Sequence, residues 1–265
     1  MPTIISADIP IHFERRGSGS PLVFLHGLGS SSVDWSEQIA FFSQNFDVIA
    51  PDFPLHGQSG GKIETFSLPH CADVIHDLLN QLSIEKATVV GVSMGGMVGM
   101  ELAIRYPEKI AKLAVVNALA ECKPRMAIEW WMLLTRRFLL KFVSVARIAK
   151  MMGDQLLPGE ALKEKRIEAV ARWSLNDRAS YIASFNALLG WQVLDKLALI
   201  RCPLFLISAE FDHTPPTSKK VLAALYPDGE FSMIAGMRHL VPLESPDTFN
   251  QILNDWLHRH ASSRR

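Results

Sequence analysis

The stretch from Thr88 to Gly96 constrains the fold more than any other part of this 265-residue chain. It reads Thr-Val-Val-Gly-Val-Ser-Met-Gly-Gly, so four β-branched residues lead into a serine that lies between two glycines. A sharp turn from a strand into a helix needs glycines two residues before and two residues after its apex, because side chains there would clash. Ser93 would stand at that apex, at the positive end of the following helix. The stretch therefore predicts a strand–turn–helix unit that exposes the Ser93 hydroxyl.

Short apolar runs alternate with helical patterns along much of the chain. This alternation is typical of a mostly parallel sheet covered by helices, with an antiparallel hairpin expected at the N-terminal edge. The eight predicted strands are about Thr3–Ser6, Ile11–Arg15, Leu22–Leu25, Val48–Ala50, Thr88–Val92, Leu113–Asn117, Leu204–Ser208 and Phe231–Ile234. The predicted helices are Ser36–Ser43, Leu68–Leu82, Met94–Tyr106, Thr217–Tyr226 and Pro246–His260.

The alternation stops between residues 121 and 196, where helical periodicity continues without a convincing strand. Because the strand pattern resumes at Leu204, this part is predicted to be a helical insertion above the sheet. We therefore expect an α/β core formed by residues 1–120 and 197–265, with an inserted helical subdomain formed by residues 121–196.

Charge and cysteine content argue against several classes of function. The chain has 27 Lys and Arg residues and 27 Asp and Glu residues, so no whole-chain field would attract nucleic acid. Its three cysteines, Cys71, Cys122 and Cys202, form no Cys-x-x-Cys pair, which argues against a disulfide framework or a zinc site.

The first residues lack the features of a secretory signal, and no apolar run is long enough to cross a membrane. We expect a cytoplasmic protein and leave its oligomeric state open.

Ser93 needs a general base and preorganised donors for the oxyanion that its attack would create. Among nine histidines, His239 lies in the loop between the last predicted strand and the final helix. From there its ring can lie over the carboxyl ends of the strands, where open α/β sheets hold their ligands. The N–H of Met94, directly after Ser93, is the first expected oxyanion donor, and the glycine-rich loop His26–Gly29 is expected to supply the second.

Asp212 is the expected acid that orients His239. It follows the predicted strand Leu204–Ser208, from which a carboxylate can reach the ring nitrogen that faces away from the serine. Glu210, two residues earlier, is the alternative. His213 is expected to point away from Asp212, as neighbouring side chains do, and to lie on the rim of a pocket.

Two other histidines have structural interpretations. His12 is expected on an edge strand. His26 is expected to support its loop rather than to transfer a proton, although its place near the nucleophile also makes it a candidate pocket residue.

The order serine, aspartate, histidine resembles that of the α/β-hydrolase family. The resemblance covers the whole chain, through His26-Gly27, the stretch from Asp52 to Ser59, the turn at Ser93, and the loops of Asp212 and His239. It implies an α/β-hydrolase fold, a cap formed by the helical insertion, and the N–H of Leu28 as the second oxyanion donor. The layout is most similar to the small-esterase and enol-lactonase branch.

Three positions bear on how far this resemblance extends. Some family members carry the acid after the strand that ends near Asn117, and the amide at this position favours Asp212. Ser93 argues against the relatives that use aspartate as nucleophile. Leu55 stands where many relatives have glycine, so the loop that follows Asp52, itself interpreted as structural, is expected to differ.

The segment from Arg125 to Met152 is both apolar and basic, with a single acid, Glu129. Its cations are Arg125, Arg136, Arg137, Lys141, Arg147 and Lys150, and its large apolar residues include Trp130, Trp131, Met132, Phe138 and Phe142. It could be the roof of an apolar pocket, a helix lying on anionic lipid, or cap residues packed beneath a solvated basic face. We expect no membrane contact. The candidate pocket residues are His26, Trp130, Trp131, Phe138, His213 and Leu240.

The residues and the resemblance together predict a serine hydrolase of small, rather hydrophobic esters or lactones that uses no cofactor or metal. Two alternatives remain open, because a fold does not determine a function. One is a carbon–carbon bond hydrolase of aromatic ring-cleavage products. The other is a small-molecule sensor that keeps the same three residues but turns over slowly.

Overall fold

The computed structural model describes residues 2–123 and 127–259, without the side chains of residues 127–129, 132, 133 and 136. Eight strands of this part of the chain form one sheet. They are β1 (Thr3–Ser6), β2 (Ile9–Gly17), β3 (Ser20–Leu25), β4 (Phe46–Pro51), β5 (Ala87–Val92), β6 (Ile110–Val116), β7 (Leu204–Ala209) and β8 (Gly229–Ile234). All eight predicted strands are confirmed, with bounds shifted by a few residues.

The sheet is mostly parallel, as predicted. Its strands lie in the order β1-β2-β4-β3-β5-β6-β7-β8. β2 is antiparallel to both β1 and β4, and the other neighbours are parallel. Only β1 of the N-terminal hairpin is therefore an edge strand. The expectation that His12 lies on an edge is wrong, because β2 pairs on both sides and the His12 side chain is buried.

Helices cover the sheet and extend from the insertion. They are α1 (Ser36–Phe42), α2 (Leu68–Gln81), α3 (Met94–Arg105), α4 (Ala127–Phe142), α5 (Val145–Leu156), α6 (Lys163–Trp173), α7 (Arg178–Leu188), α8 (Pro216–Ala224), α9 (Val241–Glu244) and α10 (Pro246–Arg259). The five predicted helices of the core are confirmed. The predicted last residue of the final helix, His260, lies outside the described residues. None of the described helices is both long and apolar enough to cross a membrane.

The core consists of two layers, one on each face of the sheet. Successive strand residues point to opposite faces, so Val23 and Leu25 belong to the layer that contains α2, α3 and α8, whereas Leu22 and Phe24 belong to the layer that contains α1 and α10. Strands that are buried on both faces need continuous apolar sequence, which is what the short apolar runs supplied.

Helices α4–α7 lie between β6 and β7 in the chain, where the helical insertion is predicted. The two ends of this segment meet beside the core. Glu121 forms an isolated bridge with Gln192, and the Cys122 N–H donates to the Trp191 carbonyl at 2.8 Å. This closure lies near the predicted bounds of 121 and 196. The division into a core and a cap remains a prediction.

Candidate active site

The turn at Ser93 is sharp and strained. Ser93 has φ 55° and ψ −120°, a sparsely populated conformation whose cost is on the order of 1–3 kcal/mol. Its N–H donates to the Val116 carbonyl of β6 at 2.8 Å, which anchors the turn to the neighbouring strand. α3 begins at the next residue, Met94, so the helix N-terminus faces the serine. The predicted strand–turn–helix unit is therefore present.

The two glycines around Ser93 allow this turn by close backbone contacts. A Cβ atom at Gly91 would overlap the backbone of Gly95, and one at Gly95 would overlap the carbonyl oxygens of Leu25 and His26. The turn thus packs against the end of β3 without intervening side chains.

Substitution Gly91→Ala is expected to lower the free energy of unfolding by about 4 kcal/mol or more, because the added methyl meets backbone that cannot rotate away. Urea denaturation of the variant would measure this loss. Gly27→Ala is the matched control, since the nearest atom to its Cβ is 3.6 Å away. Equal stability of the two variants would contradict the steric explanation.

The loop His26–Gly29 lies directly against the nucleophile. A Cβ on Gly27 would be 3.6 Å from the Ser93 Cβ, and Leu28 is half-buried at the next position. Leu28 and Met94, the two candidate oxyanion donors, therefore both lie next to the turn at Ser93. Their roles remain a prediction.

His26 fastens this loop to the end of β4. Its Nδ1–H can donate to the Gly27 carbonyl at 2.8 Å, while Nε2 accepts from the Phe53 N–H at 3.0 Å. Burial lowers the pKa of His26, although the Asp52 carboxylate opposes the shift. Its ring is fully buried. The geometry fits the loop-supporting interpretation and not a place on an open pocket wall, so His26 is removed from the pocket candidates.

Asp52 organises the loop after β4. Its carboxylate accepts from the N–H groups of Ser32 at 2.7 Å and Gln58 at 2.8 Å, and from His12 Nδ1 at 3.0 Å. These bonds account for a structural role. Leu55 adopts φ 65°, a left-handed conformation that costs an L-residue about 1–2 kcal/mol. Leu55 therefore takes a backbone conformation that glycine adopts without steric cost. The expected difference of this loop from that of the relatives stays a prediction.

His239 and Asp212 are brought together. The His239 Nδ1 atom is 2.5 Å from Asp212 Oδ1, and both side chains are buried. Burial raises the pKa of Asp212, but the hydrogen bond with His239 and the charges of His239, His213 and Lys219 together outweigh it and hold the pKa well below its usual range. Glu210, the alternative acid, instead accepts from the Gly236 N–H at 2.8 Å. Asp212 is thus the acid that contacts His239.

Asn117 joins three strand ends around this pair. Its Nδ2 donates to the His239 carbonyl at 2.8 Å, and its Oδ1 accepts from the Ala209 N–H at 2.8 Å. The residue at which some relatives carry the acid therefore positions the loop of the base here.

Lys219 is a site residue that the sequence analysis missed. Its ammonium group is fully buried and lies 2.5 Å from Asp212 Oδ2, 2.8 Å from the Thr214 carbonyl and 3.2 Å from Ser208 Oγ. Burial lowers the pKa of Lys219, although Asp212 opposes the shift. Asp212 is thus held on one oxygen by His239 and on the other by a buried cation.

A pattern in α8 could have revealed Lys219. The residues three, four and seven positions later are Leu222, Ala223 and Tyr226, and all three are buried. Lys219 thus occupies the first position of a buried helical stripe. A lysine in such a stripe needs a buried acceptor, and Asp212 is the acid seven residues earlier.

His213 corrects another expectation. Its ring does not point away from the acid but packs on His239, with ring centroids 3.8 Å apart and Nδ1 3.8 Å from Asp212 Oδ1. Asp212, His213 and His239 could in principle hold a metal ion. A cation there would compete with His239 and Lys219 for the Asp212 oxygens and would lie close to the Lys219 charge, so the arrangement is poorly suited to one.

Two cavities adjoin the site. The first is lined by Ser30, Asp34, Trp35, Val92, Leu240, Pro242 and Leu243. The second, of about 220 Å³, is lined by Gln155, Leu156, Phe211, His213, Arg238 and His239. His213 therefore keeps its place as a pocket candidate. The cavity beside Leu240 has a volume of about 10 Å³, room for about one water molecule, so the role of Leu240 as a pocket residue stays a prediction.

Trp130, Trp131 and Phe138 line neither cavity and are each more than half exposed. The expectation that they form a pocket roof is therefore corrected. They lie on the outward side of α4, whereas α5 supplies Gln155 and Leu156 to the second cavity.

A polar cluster fastens the insertion to the glycine-rich loop. Asp34, which follows that loop, accepts from Arg172 Nη2 at 2.6 Å, Trp173 Nε1 at 2.9 Å and Ser30 Oγ at 2.5 Å. Asn176 Nδ2 donates to the Gly29 carbonyl at 2.7 Å. We call these residues the Asp34 cluster. The cluster holds the segment directly after Leu28 between β3 and the insertion.

Comparison with known proteins identifies the class of this chain. A family model described as alpha/beta hydrolase fold matches residues 20–246. The chain therefore belongs to the α/β-hydrolase fold family and is a hydrolase of that fold.

Individual relatives agree with this assignment. A protein of Pantoea ananatis named putative carbamate hydrolase RutD is 30% identical over 94% of this chain and 92% of its own length. The enol-lactonase from Burkholderia xenovorans LB400 is 20% identical, with a TM-score of 0.87 and coverage of 97% of this chain and 100% of its own. A thermophilic esterase from Thermogutta terrifontis is 25% identical, with a TM-score of 0.81 and coverage of 97% and 96%.

Proposed function

We propose that this hydrolase cleaves small, rather hydrophobic carboxylic esters or lactones through an acyl-enzyme formed on Ser93. The observation that carries the proposal is the contact of 2.5 Å between His239 Nδ1 and Asp212 Oδ1. When Nδ1–H donates to the carboxylate, the lone pair of Nε2 remains free to accept a proton. A neutral imidazole oriented in this way is the base that a serine nucleophile requires.

The proposed reaction has two halves. Ser93 Oγ attacks the substrate carbonyl while His239 Nε2 takes its proton, and the N–H groups of Leu28 and Met94 bind the oxyanion. His239 then gives that proton to the leaving alkoxide, which departs as the alcohol. A water that loses its proton to His239 attacks the acyl-enzyme, and the same steps return Ser93 and release the acid.

Carbamate hydrolysis is a second candidate, favoured by the name of the Pantoea ananatis relative. The same nucleophile and donors could act on a carbamate carbonyl. The nitrogen lone pair delocalises into that carbonyl and makes it less electrophilic. Carbamate cleavage would therefore depend more than ester cleavage on stabilisation of the oxyanion by the two N–H donors.

A panel of substrates at equal concentration would test the proposal. It would contain p-nitrophenyl esters of increasing acyl length, a γ-lactone, an alkyl carbamate and a vinylogous keto-acid. Acid release would be followed by pH-stat for the esters, the lactone and the keto-acid, and ammonia release would be measured for the carbamate. Ester or lactone turnover that exceeds the others supports the proposal. Faster carbamate or keto-acid turnover would replace it with the corresponding alternative, and absence of all turnover would favour the ligand sensor.

The Asp34 cluster leads to a prediction for the oxyanion loop. Asn176→Ala removes the donor to the Gly29 carbonyl, so the adjacent Leu28 N–H loses its position. We expect kcat for the best ester to fall by about 10-fold to 100-fold with little change in KM, because the donor acts on the transition state.

Steady-state kinetics on the panel would measure this separation of kcat from KM. Asn80→Ala on α2 is the matched control, since Asn80 lies away from the loop and its amide contacts His76. An Asn176→Ala variant that raises KM and keeps kcat would show that the residue serves substrate binding instead.

A further inference from the structure

Helix α4 presents large apolar residues to solvent. Among the side chains of α4 that the structure describes, the large exposed apolar ones are Trp130, Trp131, Leu134, Phe138 and Phe142, with exposed fractions between 52% and 63%. At about 100° per residue these five positions fall within an arc of about 120° on the helix. Leu140 lies outside that arc and is buried. A helix at the surface of a globular protein normally directs its polar face to solvent, whereas α4 directs this apolar arc to solvent.

Two cations lie on the same side of the helix, Lys141 within the arc and Arg137 about 20° beyond its edge. Arg137 and Lys141 are exposed, and the Lys141 Nζ atom is 5.4 Å from the centre of the Phe142 ring. With the five apolar residues they make up what we call the outer face of α4. None of its seven positions carries an acidic residue. The face therefore combines aromatic rings with positive charge along a helix about 24 Å long.

We propose that the outer face of α4 binds the surface of an anionic lipid membrane. Tryptophan and phenylalanine insert at the boundary between headgroups and acyl chains, and arginine and lysine beside them attract anionic headgroups. The helix would lie in the plane of the interface. The sequence alone gave no reason to prefer this interpretation, because it does not show which side of α4 faces the body of the protein.

A second copy of the chain would fit this face less well. In a twofold contact the same face meets itself, so Arg137 and Lys141 of one copy would approach those of the other. No acidic residue on the face would compensate these charges. The charge therefore favours a negatively charged surface as the occupant.

Vesicle co-sedimentation of the full chain would test the proposal. The vesicles would contain phosphatidylcholine alone, or phosphatidylcholine with about one third phosphatidylglycerol. We expect binding to the anionic vesicles only, with affinity that falls as salt rises. Lys141→Gln should weaken binding about fivefold, and Phe138→Ser should weaken it by at least as much.

Matched controls separate the face from general surface effects. Ile167→Ser on α6 removes an apolar side chain that is 59% exposed, and Lys62→Gln removes an exposed charge outside α4. Both variants should bind vesicles like the wild type. Melting temperatures and hydrolysis of a soluble ester should be unchanged in all four variants, which excludes misfolding as the cause.

Three outcomes would overturn the proposal. The first is no sedimentation of the wild type with anionic vesicles. The second is equal binding to both vesicle compositions. The third is sedimentation equilibrium that shows a dimer which Phe138→Ser dissociates, because self-association would then account for the face. The proposal is independent of the chemistry at Ser93, so a Ser93→Ala variant should bind vesicles like the wild type.

Discussion

Replacement of Ser93 by alanine is expected to lower kcat for the best ester by about 10⁴-fold or more, because no other group takes over the nucleophilic attack. The fold should persist, because alanine would have to adopt the same φ of 55° that serine already adopts, and because the backbone N–H at this position still bonds to β6. Steady-state hydrolysis and thermal denaturation of the same preparation would measure both effects.

Ser83→Ala is the matched control for this substitution. Ser83 is a second serine with positive φ, at 56°, but it is exposed after α2 and lies outside the site. Its replacement should leave kcat unchanged. Turnover by Ser93→Ala close to that of the wild type would remove Ser93 from the nucleophile's role.

Asp212→Asn is expected to lower both catalytic activity and stability, and a second substitution at Lys219 is expected to restore the stability alone. The single variant should lower kcat by on the order of 10⁴-fold, because an asparagine amide at this place can donate to Nδ1 and so favours the wrong tautomer of His239. It should also lower the free energy of unfolding by about 3–5 kcal/mol, because it leaves the Lys219 cation buried without its carboxylate.

The double variant Asp212→Asn/Lys219→Met removes the unpaired cation. We expect it to regain most of the lost stability, since methionine fills a similar apolar volume, while kcat stays as low as in the single variant. Urea denaturation and ester hydrolysis of the wild type, both single variants and the double variant complete the cycle. A double variant no more stable than Asp212→Asn would show that the Lys219 charge is not the source of the loss.

The sequence predicted the sheet well because each of its signals is local. Apolar runs such as Leu22–Leu25 fill strands that are buried on both faces, and Gly91 is required by a backbone contact with Gly95 and Gly96, within five residues. The predicted acid and base come together because both follow strands whose carboxyl ends share one edge of the sheet. The assignment of chemical roles to these residues remains a prediction.

The features that the sequence analysis missed depend on side-chain direction. Lys219 and Lys220 are adjacent and chemically alike, yet Lys219 is buried and Lys220 is exposed. His213 was expected to point away from its neighbour, but the backbone after β7 turns so that its ring packs on His239. The outward side of α4 could not be predicted either, because apolar residues at helical spacing look the same whichever side they face.

The Asp34 cluster has a consequence for the order in which parts of the protein fold. Its bonds join Asp34 to Arg172 across 138 residues and Gly29 to Asn176 across 147 residues. Contacts so distant in sequence form late, because the chain must close a long loop before they give any stabilisation. The sheet can therefore be complete while the segment after Leu28 is still loose. Catalytic competence would then appear after compactness, and a refolding experiment should recover native fluorescence before it recovers hydrolysis.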